Sequence, residues 1–238
     1  MKSYVSDREI NELGEALIKD YRKGKNKGTC VDIEGFITEY LKLNIVYAAF
    51  AEDDPNKIAF LSDGVQPLFI YEGKKKISKV FPKFTIILDK FLLRDEESGR
   101  RRFSLAHEAG HYLLCLHNPD QVVPSYRREY DSEREYSNSE LSEMFSMNEL
   151  FADKMAASLL MPNFILKKVV KKYYDINRIP IFGGSIFHSK DKKKLRKMSD
   201  DLGVSFTALV IRLKNLDYIE YRSANEYIDK HLQVGEFA

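Results

Sequence analysis

The chain has 238 residues, 44% hydrophobic and 31% charged, a balance that fits an ordinary globular protein and excludes a disordered one. Lys and Arg number 38 against 36 Asp and Glu, so a formal charge of +2 gives the whole molecule no pull toward nucleic acid or anionic membrane. No run approaches the roughly 18 apolar residues of a membrane span, MKSYVSDREI lacks an apolar signal core, and Cys30 and Cys115 are too few for a disulfide framework, so a cytoplasmic location is expected.

Asp7 to about Arg22 reads as an amphipathic helix, with Ile10, Leu13, Leu17 and Tyr21 at helical spacing. A Gly/Lys-rich break follows, and Asp32 is placed to cap a second helix with the stripe Ile33, Phe36, Ile37, Tyr40 and Leu41. From Asn44 the texture becomes β-prone. IVYAAF, KIAFL, PLFIY and FTIIL are short runs separated by turn residues, which predicts a small sheet built from hairpins. RDEESGRRR reads as a charged loop. The next helix contains FSLAHEAGH, and residues 117–140 read as a long polar loop. A second strongly helical segment is expected from about Leu141 to Met161, stopped by Pro162. Residues 191–216 read as two short helices around Gly203, and YIEYR as a closing strand.

In His107-Glu108-Ala109-Gly110-His111 the i,i+4 spacing puts both imidazoles on one helix face, with Cβ atoms about 5–6 Å apart. Both can then reach one ion at zinc–nitrogen distances of about 2.0–2.1 Å. Glu108 lies about 100° round the helix, beside such an ion, where a carboxylate can act as the base for an attacking water. Phe103, Leu105, Ala106, Ala109, Leu113, Leu114 and Leu116 make the helix apolar almost all round, so it is expected to be buried.

A catalytic zinc takes three protein ligands and keeps one position open. NELFADKMAASLLMP supplies the third candidate. On a helical wheel Glu149 and Asp153 fall about 40° apart on the side of Phe145, Ala152, Ala156 and Leu160, with Lys154 and Ser158 opposite. Two carboxylates facing inward are costly without partners, and the histidine helix offers them. Glu149 becomes the third ligand, and Asp153 the carboxylate that receives a histidine N–H and fixes its tautomer.

HEAGH, the glutamate of NELFAD 38 residues after the second histidine, and LLMP together resemble the ImmA/IrrE metallopeptidases. RRRFSLAHEAGHYLL and LGVSFTALVIRLKNLDYI are similar to that family as well, so the resemblance runs from Phe84 to about Ile219. It implies an α+β, zincin-like core with N-terminal helices, a small mixed sheet, the HExxH helix and the third-ligand helix. The expected division is a metallopeptidase domain over residues 1–165 and a helical C-terminal region over 166–238. By this resemblance His107, His111 and Glu149 are metal ligands, Glu108 is the base and Asp153 supports a ligand. The metal expected is Zn2+, with Mn2+ as the alternative. Many family members carry Glu-x-Glu-Ala-Asn at the third-ligand helix, whereas Phe151 stands here at the second carboxylate. The implied activity is endoproteolysis of a cytoplasmic protein, a helix-turn-helix transcriptional repressor of a mobile element or stress regulon. The competing function is a regulator that keeps the fold but acts by binding DNA or a partner protein.

Weaker signals surround this constellation. FTIIL at Phe84–Leu88 is expected to be an edge strand able to hold substrate as an added strand. Tyr126, Tyr130, Tyr136 and His188 are candidates for stabilising an oxyanion, each with an ordinary surface role as the simpler expectation. His117 reads as a helix C-terminal residue, Cys115 as core, and Cys30 as a loop thiol. The second helix of residues 191–216 offers only Arg212 and Lys214 as basic residues, so direct nucleic-acid binding is not expected.

Overall fold

A computed structural model describes residues 5–25, 28–54, 56–117, 125–128, 137, 139, 142, 146–175 and 178–231, with backbone alone at 125–128 and 229–231. The fold is α+β, and the chain separates into two compact units, Met1–Pro162 and Asn163–Ala238. No described helix is long and apolar enough to cross a membrane.

In the first unit, α1 (Asp7–Tyr21) opens with a capping box in which the Ser6 side chain accepts from Glu9 N–H and Glu9 bonds back to Ser6 N. Its buried face is Ile10, Gly14, Ile18 and Tyr21, whereas Leu13, expected inside, is exposed. The shift has a steric reason. A Cβ on Gly14 would stand 2.4 Å from Ser158 Oγ, so the glycine side of α1 makes the close approach. Asp32 caps α2 (Ile33–Gly35) as expected, accepting from Gly35 N at 3.0 Å, and the chain continues as a π-helical turn over Phe36–Tyr40.

The sheet is mixed, with strands β1 (Asn44–Phe50), β2 (Lys57–Leu61), β3 (Leu68–Glu72), β4 (Lys75–Lys79), β5 (Thr85–Asp89) and β6 (Ser125–Arg128) in the order β4-β3-β1-β5-β2-β6. β3 and β4 form a hairpin, but β1 pairs with β5 in parallel, Asn44 opposite Thr85 and Ala48 opposite Asp89. The all-hairpin expectation is therefore corrected. So is the edge-strand expectation for Phe84–Leu88. β5 lies between β1 and β2, and its Thr85, Ile86, Ile87 and Leu88 are buried on both faces, the apolar run of an interior strand. The edge beyond β2 is β6, formed within the stretch expected to be loop. It runs antiparallel to β2 with Phe60 opposite Tyr126 and a bulge between Lys57 and Ala59.

One face of the sheet buries Ala48, Phe60, Leu68, Ile70, Phe81 and Ile87 together. α3 (Ser98–His117) packs on β2 and β5. The expected charged loop before it is two 3-10 turns, Lys90–Leu93 and Asp95–Glu97, and the arginine run already belongs to α3. Those arginines fasten its start, Arg101 Nη1 donating to Leu92 O at 3.0 Å and Arg102 Nη2 to Val31 O at 2.7 Å. α4 (Met147–Leu160) lies against both α3 and α1. Ser146 is its N-cap, and the expected start near Leu141 lies outside the described residues.

The second unit holds α5 (Asn163–Tyr173), β7 (Ile179–Phe182), α6 (Ser189–Leu202), α7 (Phe206–Asn215), β8 (Ile219–Arg222) and α8 (Ala224–His231). Gly203, at φ 63°, ends α6 in the left-handed conformation, and Ser205 caps α7 two residues later. The expected strand YIEYR is β8, paired in parallel with β7 from Ile179 opposite Ile219 to Phe182 opposite Arg222. Arg212, one of the two basic residues offered by α7, is buried, in keeping with a packing helix.

Candidate metal centre

α3 carries His107, Glu108 and His111 on a helix held between the sheet and α4, and all three are buried, at 2%, 0% and 5% exposure. Gly110, in the same turn, lets α4 come close. A Cβ there would meet Ala152 Cα at 3.0 Å and Ala152 O at 3.1 Å. Contact between the helix backbones at this level sets how far the Glu149 carboxylate must reach. Ser146 contributes from the other side. Its Oγ accepts from Glu149 N at 3.3 Å, so Glu149 occupies the first turn of α4, where the helix dipole favours a carboxylate.

Three donor residues converge. His107 Nε2 and His111 Nε2 are 3.0 Å apart, Glu149 Oε2 is 3.1 Å from the former and Glu149 Oε1 3.2 Å from the latter. Ligands at about 2.0–2.1 Å from a tetrahedral ion are separated by about 3.3–3.4 Å, so the spacing is that of three corners around a cation. Among the described residues, His107, His111 and Glu149 are a group able to hold a metal. His107 Nδ1 donates to Asp153 Oδ1 at 2.9 Å.

The proton inventory supports a cation between them. A neutral His107 that gives its Nδ1–H to Asp153 has only a lone pair at Nε2, and that lone pair faces an imidazole nitrogen and a carboxylate oxygen. Burial pushes the His111 pKa below its ordinary value, against the hydrogen bond to Glu149 that pulls it up, so a second proton on that ring is disfavoured. Burial raises the Glu149 carboxyl, but the His107 and His111 rings beside it outweigh that and hold its pKa below the usual carboxylate range. Two imidazoles and a carboxylate are a donor set that divalent zinc takes.

The sequence expectations meet the structure unevenly. His107, His111, Glu149 and Asp153 are brought together at the α3–α4 seam, and Glu108 is buried on the same helix as the histidines. Asp153 is less buried than the wheel implied, its side chain 54% exposed, and it reaches inward to His107. Ser158, expected on the solvent side of α4, is buried against α1, its Oγ 3.4 Å from Asn11 O. Phe151 is buried. Of the oxyanion candidates, Tyr130 and Tyr136 lie outside the described residues, as does the Tyr126 side chain. His188 is the N-cap of α6, its Nδ1 accepting from Lys190 N at 3.3 Å. His117 ends α3 and is exposed, Cys115 is half-buried, and Cys30 is an exposed free thiol. Gly110 and Ser146 were not singled out from sequence. The Ser-x-x-Glu spelling was a signal for the cap, but a close helix approach leaves no local mark.

A buried His-Glu-x-x-His helix facing a glutamate helix, beside a mixed sheet, defines a metallopeptidase-type centre. The sequence pattern of the IrrE N-terminal-like domain, a peptidase family, matches residues 91–214, more than half of the chain. The chain belongs to the ImmA/IrrE metallopeptidase family. No curated protein matches it significantly.

Proposed function

We propose that the protein is a zinc-dependent endopeptidase that hydrolyses a protein substrate in the cytoplasm. The observation that carries this reading is the convergence of His107 Nε2, His111 Nε2 and Glu149 with a fully buried Glu108 one residue along the helix. His107, His111 and Glu149 would hold the ion, leaving one position open. When bound, zinc acidifies a water and polarises the scissile carbonyl. Asp153 keeps the proton of His107 on Nδ1, so that Nε2 presents its lone pair. Glu108 takes the proton of the attacking water and returns it to the leaving nitrogen, so one peptide bond and one water give an acid and an amine. A binding module would have no use for a base at that position.

The substrate class follows from family resemblance: a helix-turn-helix repressor whose cleavage relieves repression. Mn2+ is the alternative ion. The test is incubation of metal-loaded protein with the repressor encoded beside its gene, read by mass spectrometry of the fragments. Cleavage lost in Glu108→Gln with metal content unchanged supports the reading, and absence of cleavage with either metal overturns it.

A further inference from the structure

The formal charge of +2 conceals an uneven split. Asn163–Ala238 holds fifteen of the 38 Lys and Arg but only nine of the 36 Asp and Glu, a formal +6, which leaves Met1–Pro162 at −4. The excess gathers on α5 and α6, spelled NFILKKVVKKY and SKDKKKLRKMSDDL. These helices are neighbours. Lys172 Nζ lies 2.7 Å from Asp201, and Lys194 Nζ sits 4.6 Å from the Tyr174 ring centroid.

Most of these cations have nothing to answer them. Lys167, Lys168 and Lys171 on α5 are exposed and make no ion pair among the described residues. The same holds for Lys192, Lys193, Arg196 and Lys197 on α6. In the first unit, by contrast, Arg8, Lys19, Lys23, Lys57 and Arg100 each have an acidic partner. The unpaired residues also stand at i,i+4 from one another, Lys167 with Lys171, Lys192 with Arg196, and Lys193 with Lys197, a spacing at which like charges oppose helix formation. A counter-charge running along the face relieves that opposition.

The composition of the face selects the counter-charge. The buried residues of α5 and α6 include all their Ile, Leu, Val and Met, so no aliphatic side chain of either helix is left on the surface. A protein partner calls for apolar or aromatic anchors at the centre of its interface and disfavours lysine there, and a membrane surface calls for apolar side chains to insert. A row of lysine ammoniums alone fits repeated phosphates, which need only neutralisation and release of counterions. With one arginine among seven free cations, the face has little means of bidentate base reading. We propose that the α5–α6 face docks along the phosphate backbone of double-stranded DNA without regard to sequence. The inference is independent of the peptidase reading.

The test is fluorescence anisotropy of a labelled duplex of arbitrary sequence, about 20 base pairs long, titrated with the full chain from about 50 to 300 mM salt. Binding should be saturable and indifferent to scrambling, and about four to six phosphate contacts give a log–log salt slope of about −4 to −5. Exchanging Lys167, Lys171, Lys193 and Lys197 for Gln should weaken binding at least about tenfold and flatten the slope, with unchanged circular dichroism. Should that variant fail to fold, the two α5 and the two α6 exchanges, made separately, should each flatten the slope by about two. Glu108→Gln should bind DNA like the parent, which separates this outcome from any failure of peptidase activity. No binding at the lowest salt, equal binding by the charge-depleted variants, or tighter binding to phosphatidylserine vesicles or a polyaspartate peptide than to duplex overturns the proposal.

Discussion

At the α3–α4 seam His107 has both ring nitrogens engaged, one by Asp153 and one by His111 and Glu149, and is almost wholly buried. On α5 and α6 most of the lysines stand exposed, next to one another and, among the described residues, without an ion pair. Both regions concentrate charge on a pair of neighbouring helices, yet the first satisfies it internally and the second leaves it to solvent. The difference teaches what each can do. Buried charge is tolerable only when its partners are fixed, so the seam is built for geometry, and small displacements there are expensive. Exposed like charges cost little individually and fix nothing, so the α5–α6 face can attract but not orient. Substitutions in the seam should therefore act through distance and proton position, whereas those on the lysine face should act through salt dependence.

The largest effect is expected at Glu108. Glu108→Gln keeps the volume and removes the base, and general-base contributions of about 10²–10⁴-fold in kcat are typical. Metal content by elemental analysis should be unchanged. Loss of the metal together with activity would mean that Glu108 supports the ligands and not the proton transfer. Asp153→Asn comes next. Asparagine can still accept at its carbonyl, but its charge is gone and His107 becomes a weaker ligand, with a cost of about 10–100-fold in metal affinity for such supporting partners. Titration with a competing chelator reads this directly. An affinity equal to that of the parent would show that the half-exposed Asp153 is decoration.

How much of this was legible depended on how local each feature is. His107 and His111 lie within one helical turn and a half, and Glu149 with Asp153 in another, so spacing put the two imidazoles on one face and both carboxylates within reach of them. Deciding which strand would be central was a different matter. FTIIL is an apolar run before the histidine helix, and nothing inside those residues says that β1 will pair with it in parallel after a long excursion through β2, β3 and β4. β6 was hidden for the same reason, since its partner β2 lies more than sixty residues earlier. On α1 the wheel chose the larger side chains, Leu13 and Leu17, but contact with Ser158 favoured the smallest residue, Gly14. The charge split was lost by summing over two units of opposite sign.

Gly110→Ala tests the closeness of the seam itself. The added methyl would sit 3.0 Å from Ala152 Cα and 3.1 Å from its carbonyl oxygen, so backbone must yield, and overpacking of this kind costs about 1–3 kcal/mol. Both the melting temperature and the metal affinity should fall, because separating the helices draws Glu149 away from both imidazoles. A fall in melting temperature with affinity untouched would place the flexibility in the Glu149 side chain and not in the helix spacing.

Ser146→Ala is expected to be mildest and is the most discriminating between stability and positioning. Loss of an N-cap costs about 1 kcal/mol. The serine also holds the amide of Glu149 itself, at the residue whose carboxylate reaches both histidines. If the cap serves stability alone, Ser146→Ala and Ser146→Gly should differ as caps differ, glycine being nearly as good as serine, and metal affinity should follow neither. If the cap positions Glu149, both variants should weaken metal binding by a few-fold, because neither keeps the hydroxyl, while Ser146→Asp should restore it. Metal affinity measured across the three variants separates the outcomes even where thermal unfolding does not. A restored affinity in Ser146→Asp would establish that the first turn of α4 is held in register for its ligand by one side chain lying outside the helix.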